Sequence, residues 1–171
     1  MLNACSRMGQ IEKACNLFFL ENASEDEIYA YGQKMKKLNE KRKSESKKAV
    51  QYILNNYAPK SEDKIIVAEV GKSTFGIAGV VAAKLVEKFN LPVCIYKKVE
   101  DKNIVSASVR SVEGLNILDY LKIEKDKGNI QGFGGHDAAC GAQLFTDKIK
   151  NFQQDLNSML ADFTFQKVRE N

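Results

Sequence analysis

The strongest constraint on this chain is a switch of hydrophobic period near residue 63. Before it, apolar residues recur at three- and four-residue steps. After it, they gather in short β-branched runs separated by helical stretches. "KIIVAEV" reads as a strand, "GIAGVVAAKLVEKFN" as a helix with a small-residue face for close packing, and "LPVCIYKK" as a second strand. A strand–helix–strand unit predicts a parallel pair with a right-handed crossover. "NIVSASV", reached by a polar turn around Glu100–Asn103, reads as a third strand antiparallel to the second. "LNILDYLKIE" is a helix, a glycine-rich loop follows, "GAQLF" is a fourth strand, and "DKIKNFQQDLNSMLADF" is a closing helix. The fold class expected is α/β: a compact mixed-sheet domain with flanking helices over residues 61–171.

The N-terminal side is helical. "GQIEKACNLFFL" predicts a short amphipathic helix with Ile11, Ala14, Leu17 and Phe18 on one side. Ser24 and Glu27 then form a capping box ahead of an acidic first turn. The helix they open is expected to run to about Asn56, stopping before Pro59. Ile28, Tyr31, Met35 and Leu38 make an apolar stripe at one end, and Ala49, Tyr52 and Ile53 resume it at the other. Arg42 and Glu45 fall between. A helix polar all round in mid-course bridges solvent between packed bodies, so 24–60 is read as a long charged connecting helix and 1–23 as the remnant of a segment before it.

Residues 34–48 hold eight Lys/Arg against two Glu, +6 locally within a net charge of +4, which leaves −2 for the rest. Such a stretch suits phosphate backbones or a solvated helix face. No apolar run approaches the roughly 18 residues that would span a bilayer, and the N-terminus has no apolar signal region. Cys5, Cys15, Cys94 and Cys140 show no paired spacing, and with one histidine a zinc site is not expected. A reducing, cytoplasmic setting is expected.

Three motifs carry chemistry. "VGKSTFG" ends like a phosphate-binding loop, but the position that would need glycine holds Ile66, which excludes a nucleotide triphosphatase. "SVRS" places Ser108 and Ser111 near Arg110 at a strand end, where a guanidinium fork suits phosphate oxygens. "GNIQGFGGHD" has four glycines in eight residues and then His136. Gly134 and Gly135 permit close backbone approach, and His136 can bind an anion or move a proton near neutral pH.

"GFGGHDAACG" resembles the Gly-Gly-His motif of the DHH-associated domain, the C-terminal half of DHH-superfamily phosphoesterases. "LNACSRMG", "GIAGVVAAKLVEKFNLPVCIY" and "VSASVRS" resemble three further stretches of the RecJ-type single-stranded-DNA-specific exonucleases, in the same order. This resemblance implies a substrate-binding C-terminal part of an enzyme that hydrolyses phosphodiester bonds of single-stranded DNA 5′ to 3′ in repair and recombination. His136 would position substrate near the scissile bond. Ser108, Arg110, Ser111, Gly134 and Gly135 would grip phosphate, joined by Asn3 and Arg7 of the leading signature. Mn2+ or Mg2+ is implied in the DHH catalytic half, with no metal in this chain. Implied partners are single-stranded DNA, or RNA oligonucleotides, and the DHH catalytic domain, with no membrane. The chain departs from the family pattern: it has no DHH triplet, Ser6 replaces a glycine, and Thr74-Phe75 stands where many members have His-Pro. The isolated chain is therefore not expected to cut. The alternatives are an oligonucleotide or cyclic-dinucleotide phosphodiesterase relative, or a stand-alone nucleic-acid-binding module.

Overall fold

The computed structural model describes residues 2–16, 23–57 and 59–165. Two short helices come first, α1 (Leu2–Arg7) and α2 (Ile11–Cys15). Leu17 and Phe18, expected on the apolar side of the first helix, lie outside the described residues. The long helix α3 spans Glu25–Asn56 and opens with the expected box: the Ser24 hydroxyl accepts from the Glu27 amide, and the Glu27 carboxylate accepts from the Ser24 amide.

The middle of α3 is polar all round, as expected, with no apolar residue between Leu38 and Ala49, but it is not solvated all round: Ser46 is buried and Asn39, Arg42 and Glu45 are half-buried. Met35, Leu38, Ser46, Ala49 and Ile53 are all buried, at helical steps bridged by half-buried Arg42. Ser46 is buried cheaply because its hydroxyl donates to the Arg42 carbonyl at 2.9 Å. The Arg42 guanidinium bonds Asn39 on the same helix. One face of α3 is thus covered from Met35 to Ile53, while Ile28 and Tyr52, expected in the apolar stripe, are exposed. α1 covers its first half through a small core of Cys5, Met35 and Leu38, in which the Cys5 thiol donates to the Met35 sulfur at 3.1 Å. The sheet domain covers its second half.

Five strands form one mixed sheet: β1 (Ile66–Glu69), β2 (Val93–Lys98), β3 (Ile104–Arg110), β4 (Ile130–His136) and β5 (Ala139–Phe145), in the order β1-β2-β3-β5-β4. β1 and β2 are parallel, joined through α4 (Ala78–Phe89), and β3 is antiparallel to β2, both as expected. α4 stops at Asn90, whose left-handed φ of 52° ends the helix. α5 (Ile117–Asp126) and α6 (Ile149–Met159) complete the fold.

The expected glycine loop is a second correction. Residues 130–136 form the edge strand β4 of a tight hairpin with β5, closed by Asp137 and Ala138, with a bulge between Ile130 and Gly132. Glycine is depleted in strands because it has no side chain to pack. At this edge, paired on one side, the ladder to β5 suffices.

Alternation along the strands sends the two sheet faces to two cores. Val105, Ala107, Val109, Cys140, Ala142 and Leu144 pack with Ile117 and Leu121 of α5 and Phe152 and Leu156 of α6. Ile66, Ala68, Val93 and Ile95 pack on Val81, Ala82 and Leu85 of α4 and on Ala49 and Ile53 of α3. α4 stops short of covering β5 and β4, so that part of its sheet face stays open.

Candidate functional site

The strand register assembles the open face. Arg110 pairs with Ala139, which pairs with His136. Ser108 pairs with Gly141, which pairs with Gly134. Residues directly opposite one another share a face, so Ser108, Arg110, Gly134 and His136 all look out on the side opposite α5 and α6. Arg110 and His136 are two strand spacings apart, about 10 Å. His136 is exposed.

The Arg110 guanidinium is held locally. It donates to the Ser108 hydroxyl at 3.2 Å and to the Val109 carbonyl at 2.7 Å. Among the described residues, no carboxylate lies within ion-pair distance of it. Around it lies a cleft of about 470 Å³, lined by Arg7, Phe75, Gly76, Gly79, Val80, Ala83, Ser108 and Arg110. Gly76, Gly79, Val80 and Ala83 recur at three- and four-residue steps, forming one side of the start of α4. A short 3-10 turn, Phe75–Ile77, leads straight into α4, and its Phe75 carbonyl accepts from the Ala78 amide. The small-residue face expected for packing therefore divides: Ala78 and Ala82 are buried in the core, while Gly79 and Ala83 open the cleft.

Gly79 is a site residue that sequence reasoning missed. A Cβ there would stand 2.6 Å from a terminal nitrogen of Arg110 and 3.1 Å from the Ser108 hydroxyl. Gly76 likewise admits the Arg7 carbonyl, which a Cβ would strike. The signal was the Gly-x-x-Gly step of "GIAG", which shows small size but not what approaches it.

The other expected residues are placed as follows. Arg7 reaches the cleft. Asn3 lies one turn earlier on α1, exposed, and is not among the cleft residues. Ser111 is engaged in the fold: its hydroxyl donates to the Leu115 carbonyl at 2.8 Å and its amide to the Ala138 carbonyl at 2.9 Å, tying down the β4–β5 turn. Gly135 takes φ +141°, and a Cβ there would stand 2.6 Å from the Ala139 carbonyl oxygen and the Cys140 Cα. It shapes the strand end that carries His136. None of the charges of residues 34–48 lines the cleft.

The two thiols of the sheet, Cys94 and Cys140, are buried and poorly suited to nucleophilic chemistry. Burial pushes Cys140 up to about 11 against the opposing charge of Arg110, and burial also raises Cys94. Both stay protonated thiols. The "VGKST" loop is pinned by Lys97, whose ammonium donates to the Ser73 carbonyl at 2.7 Å. No described helix is long and apolar enough to cross a membrane.

Known proteins match this chain in sequence and in backbone. The DHHA1 domain family matches residues 62–162. The single-stranded-DNA-specific exonuclease RecJ of Bacillus subtilis (strain 168) is 31% identical over 165 residues, which is 95% of this chain and 20% of that protein. The structure of RecJ in complex with Mg2+ from Thermus thermophilus matches with a TM-score of 0.80 at 25% identity, over 96% of this chain and 25% of that one. A structure of exonuclease RecJ bound to manganese matches with a TM-score of 0.76 at 26% identity, over 96% of this chain and 40% of that one. The chain thus spans less than half the length of each of these three relatives. Those structures carry Mg2+ or manganese, but among the described residues here no group of three or more His, Cys, Asp or Glu could hold a metal ion. The residues present do not fit such a centre. With most of the sheet domain matched in sequence and nearly the whole chain matched in backbone, this chain belongs to the DHHA1 domain family and corresponds to the C-terminal part of RecJ exonucleases.

Proposed function

We propose that this chain is the strand-gripping part of a RecJ-like exonuclease and binds the 5′-phosphorylated end of single-stranded DNA. One observation carries this reading: Arg110, with no carboxylate partner among the described residues, faces a cleft lined also by Ser108, Arg7, Gly76 and Gly79. A guanidinium fork beside a hydroxyl, in a cleft floored by glycine, is a donor set suited to a phosphate monoester. His136, on the same open face, positions the strand as it leaves the cleft. Residues 24–60 act as the connector to a metal-bearing half that performs the hydrolysis.

Fluorescence-anisotropy titration tests the proposal. A 5′-phosphorylated single strand binds more tightly than its 5′-hydroxyl counterpart and more tightly than duplex, and affinity falls with salt. Chelator leaves binding unchanged, since no metal takes part in this grip. Equal affinity for phosphorylated and unphosphorylated ends overturns the proposal.

A further inference from the structure

We infer that the glycine-floored sheet face beside the phosphate cleft seats the base of the terminal nucleotide, with Phe75 as its stacking wall. A second cleft of about 470 Å³ lies there, with Phe75, Ser106, Gly132, Gly134, Gly141 and Gln143 among its lining. Phe75 lines both clefts, so the two hollows adjoin across one aromatic ring. Phe75 is only half buried, packed against the α4-side core. Phe133, also at the margin, is packed against the opposite core.

The floor is flat because of its composition. Gly141 stands between Gly134 and Ser108 in the register, and Gln143 stands between Gly132 and Ser106. Three glycines in these two rows let a planar ring lie on the sheet. Ser106 and Gln143, directly opposite each other, offer donors and acceptors to a base edge. Ser106 lies two residues along β3 from Ser108, about 7 Å, a span comparable to that between a nucleotide's phosphate and its own base. A phosphate site adjoining a ring-sized, aromatic-walled slot with polar groups at its rim is the outline of a nucleotide. An apolar peptide would leave Arg110 unpaired. This inference rests on the phosphate reading above and adds the base to it.

The test uses two probes, a 5′-phosphorylated single strand and the same strand with an abasic 5′-terminal residue, titrated against the whole chain. The chain prefers the intact strand at least about fivefold, the scale of one base stacked on one aromatic ring. Phe75→Leu keeps the apolar volume but not the stacking surface and abolishes the preference, whereas Phe75→Trp retains it. A preference unchanged in Phe75→Leu overturns the inference, as does its absence in the unaltered chain. A 2-aminopurine at the 5′ terminus provides a readout that needs no variant: its fluorescence is quenched on binding, and an unquenched bound probe also overturns the inference. Arg110→Ala weakens both probes equally and leaves their ratio intact. Should Arg110→Ala change neither affinity while the ratio still depends on Phe75, the phosphate reading fails and the base seat stands.

Discussion

Three residues separate binding from folding. Arg110 is half exposed and His136 exposed, so neither fills the core. Arg110→Ala and His136→Ala are expected to weaken binding of a 5′-phosphorylated strand about tenfold, the scale of one charge-assisted phosphate contact, with melting temperature nearly unchanged. Gly79→Ala makes a sharper test. The added methyl meets the flexible end of Arg110, so the guanidinium is displaced and the fold survives. Replacing glycine with alanine inside a helix also contributes about 1 kcal/mol. Anisotropy and thermal melting should therefore diverge: affinity falls several-fold while melting temperature holds or rises. Gly135→Val behaves differently, because φ +141° and the close Ala139 carbonyl leave no room to adjust. It should cost at least about 1–3 kcal/mol of stability, the scale of one backbone strain, read by denaturant unfolding.

Among the elements, the C-terminal end of α5 carries a buried acid. Glu124 is fully buried, and its carboxylate accepts from Asn129 at 2.8 Å. Lys127 stands 3.5 Å from Glu124 and 2.9 Å from Asp155 of α6. Asn129, which also bonds Asp155 at 3.1 Å, completes the tie between α5, α6 and the start of β4. Burial raises the Glu124 carboxyl above its ordinary 4.5, with Asn129 and Lys127 offsetting only part. The folded state therefore holds this proton more tightly than the unfolded state. The site's favourable contribution is fully present below about pH 4.5 and is lost as pH rises through the higher folded value. Glu124→Gln removes the titration. Chemical unfolding from pH 4 to pH 8 should show the variant gaining stability relative to the parent as pH rises, and a gap constant with pH would refute the assignment.

Across the whole molecule, positive charge is divided between two places. The basic stretch 34–48 lies along α3, its lysines all exposed, while the cleft beside α4 is lined by Arg7 and Arg110. A strand end held in the cleft and a backbone running past α3 would be separate contributions. Replacing Lys36, Lys37 and Lys41 with glutamine should flatten the salt dependence of binding, by about 0.7 in log–log slope for each phosphate no longer neutralised. The preference for a phosphorylated 5′ end should remain. Arg110→Ala should do the reverse, abolishing the end preference and changing the slope by the share of about one phosphate.

Local chemistry made much of the fold legible in the sequence. The Ser24–Glu27 box marks where α3 begins, because capping depends on neighbours three residues apart. The β-branched runs and the single crossover helix specify β1, α4 and β2 and their parallel pairing, because period and chirality are chain-local constraints. Ser108 and Arg110 stand out in the sequence as a candidate anion-binding pair for the same reason. β4 was hidden because its glycines carry no strand propensity; its pairing with β5 supplies the order that its side chains do not. The covered middle of α3 was hidden because Ser46 satisfies its own hydroxyl, so a polar letter there does not mean solvent. The cleft was hidden most completely. Arg7, Gly79 and Arg110 are distant along the chain, and only docking α4 against β3, with α1 against the turn that leads into α4, brings the Arg7 carbonyl to Gly76 and the Arg110 guanidinium to Gly79. That the one histidine shares a sheet face with Arg110 follows from a hairpin register, which non-local hydrogen bonds set.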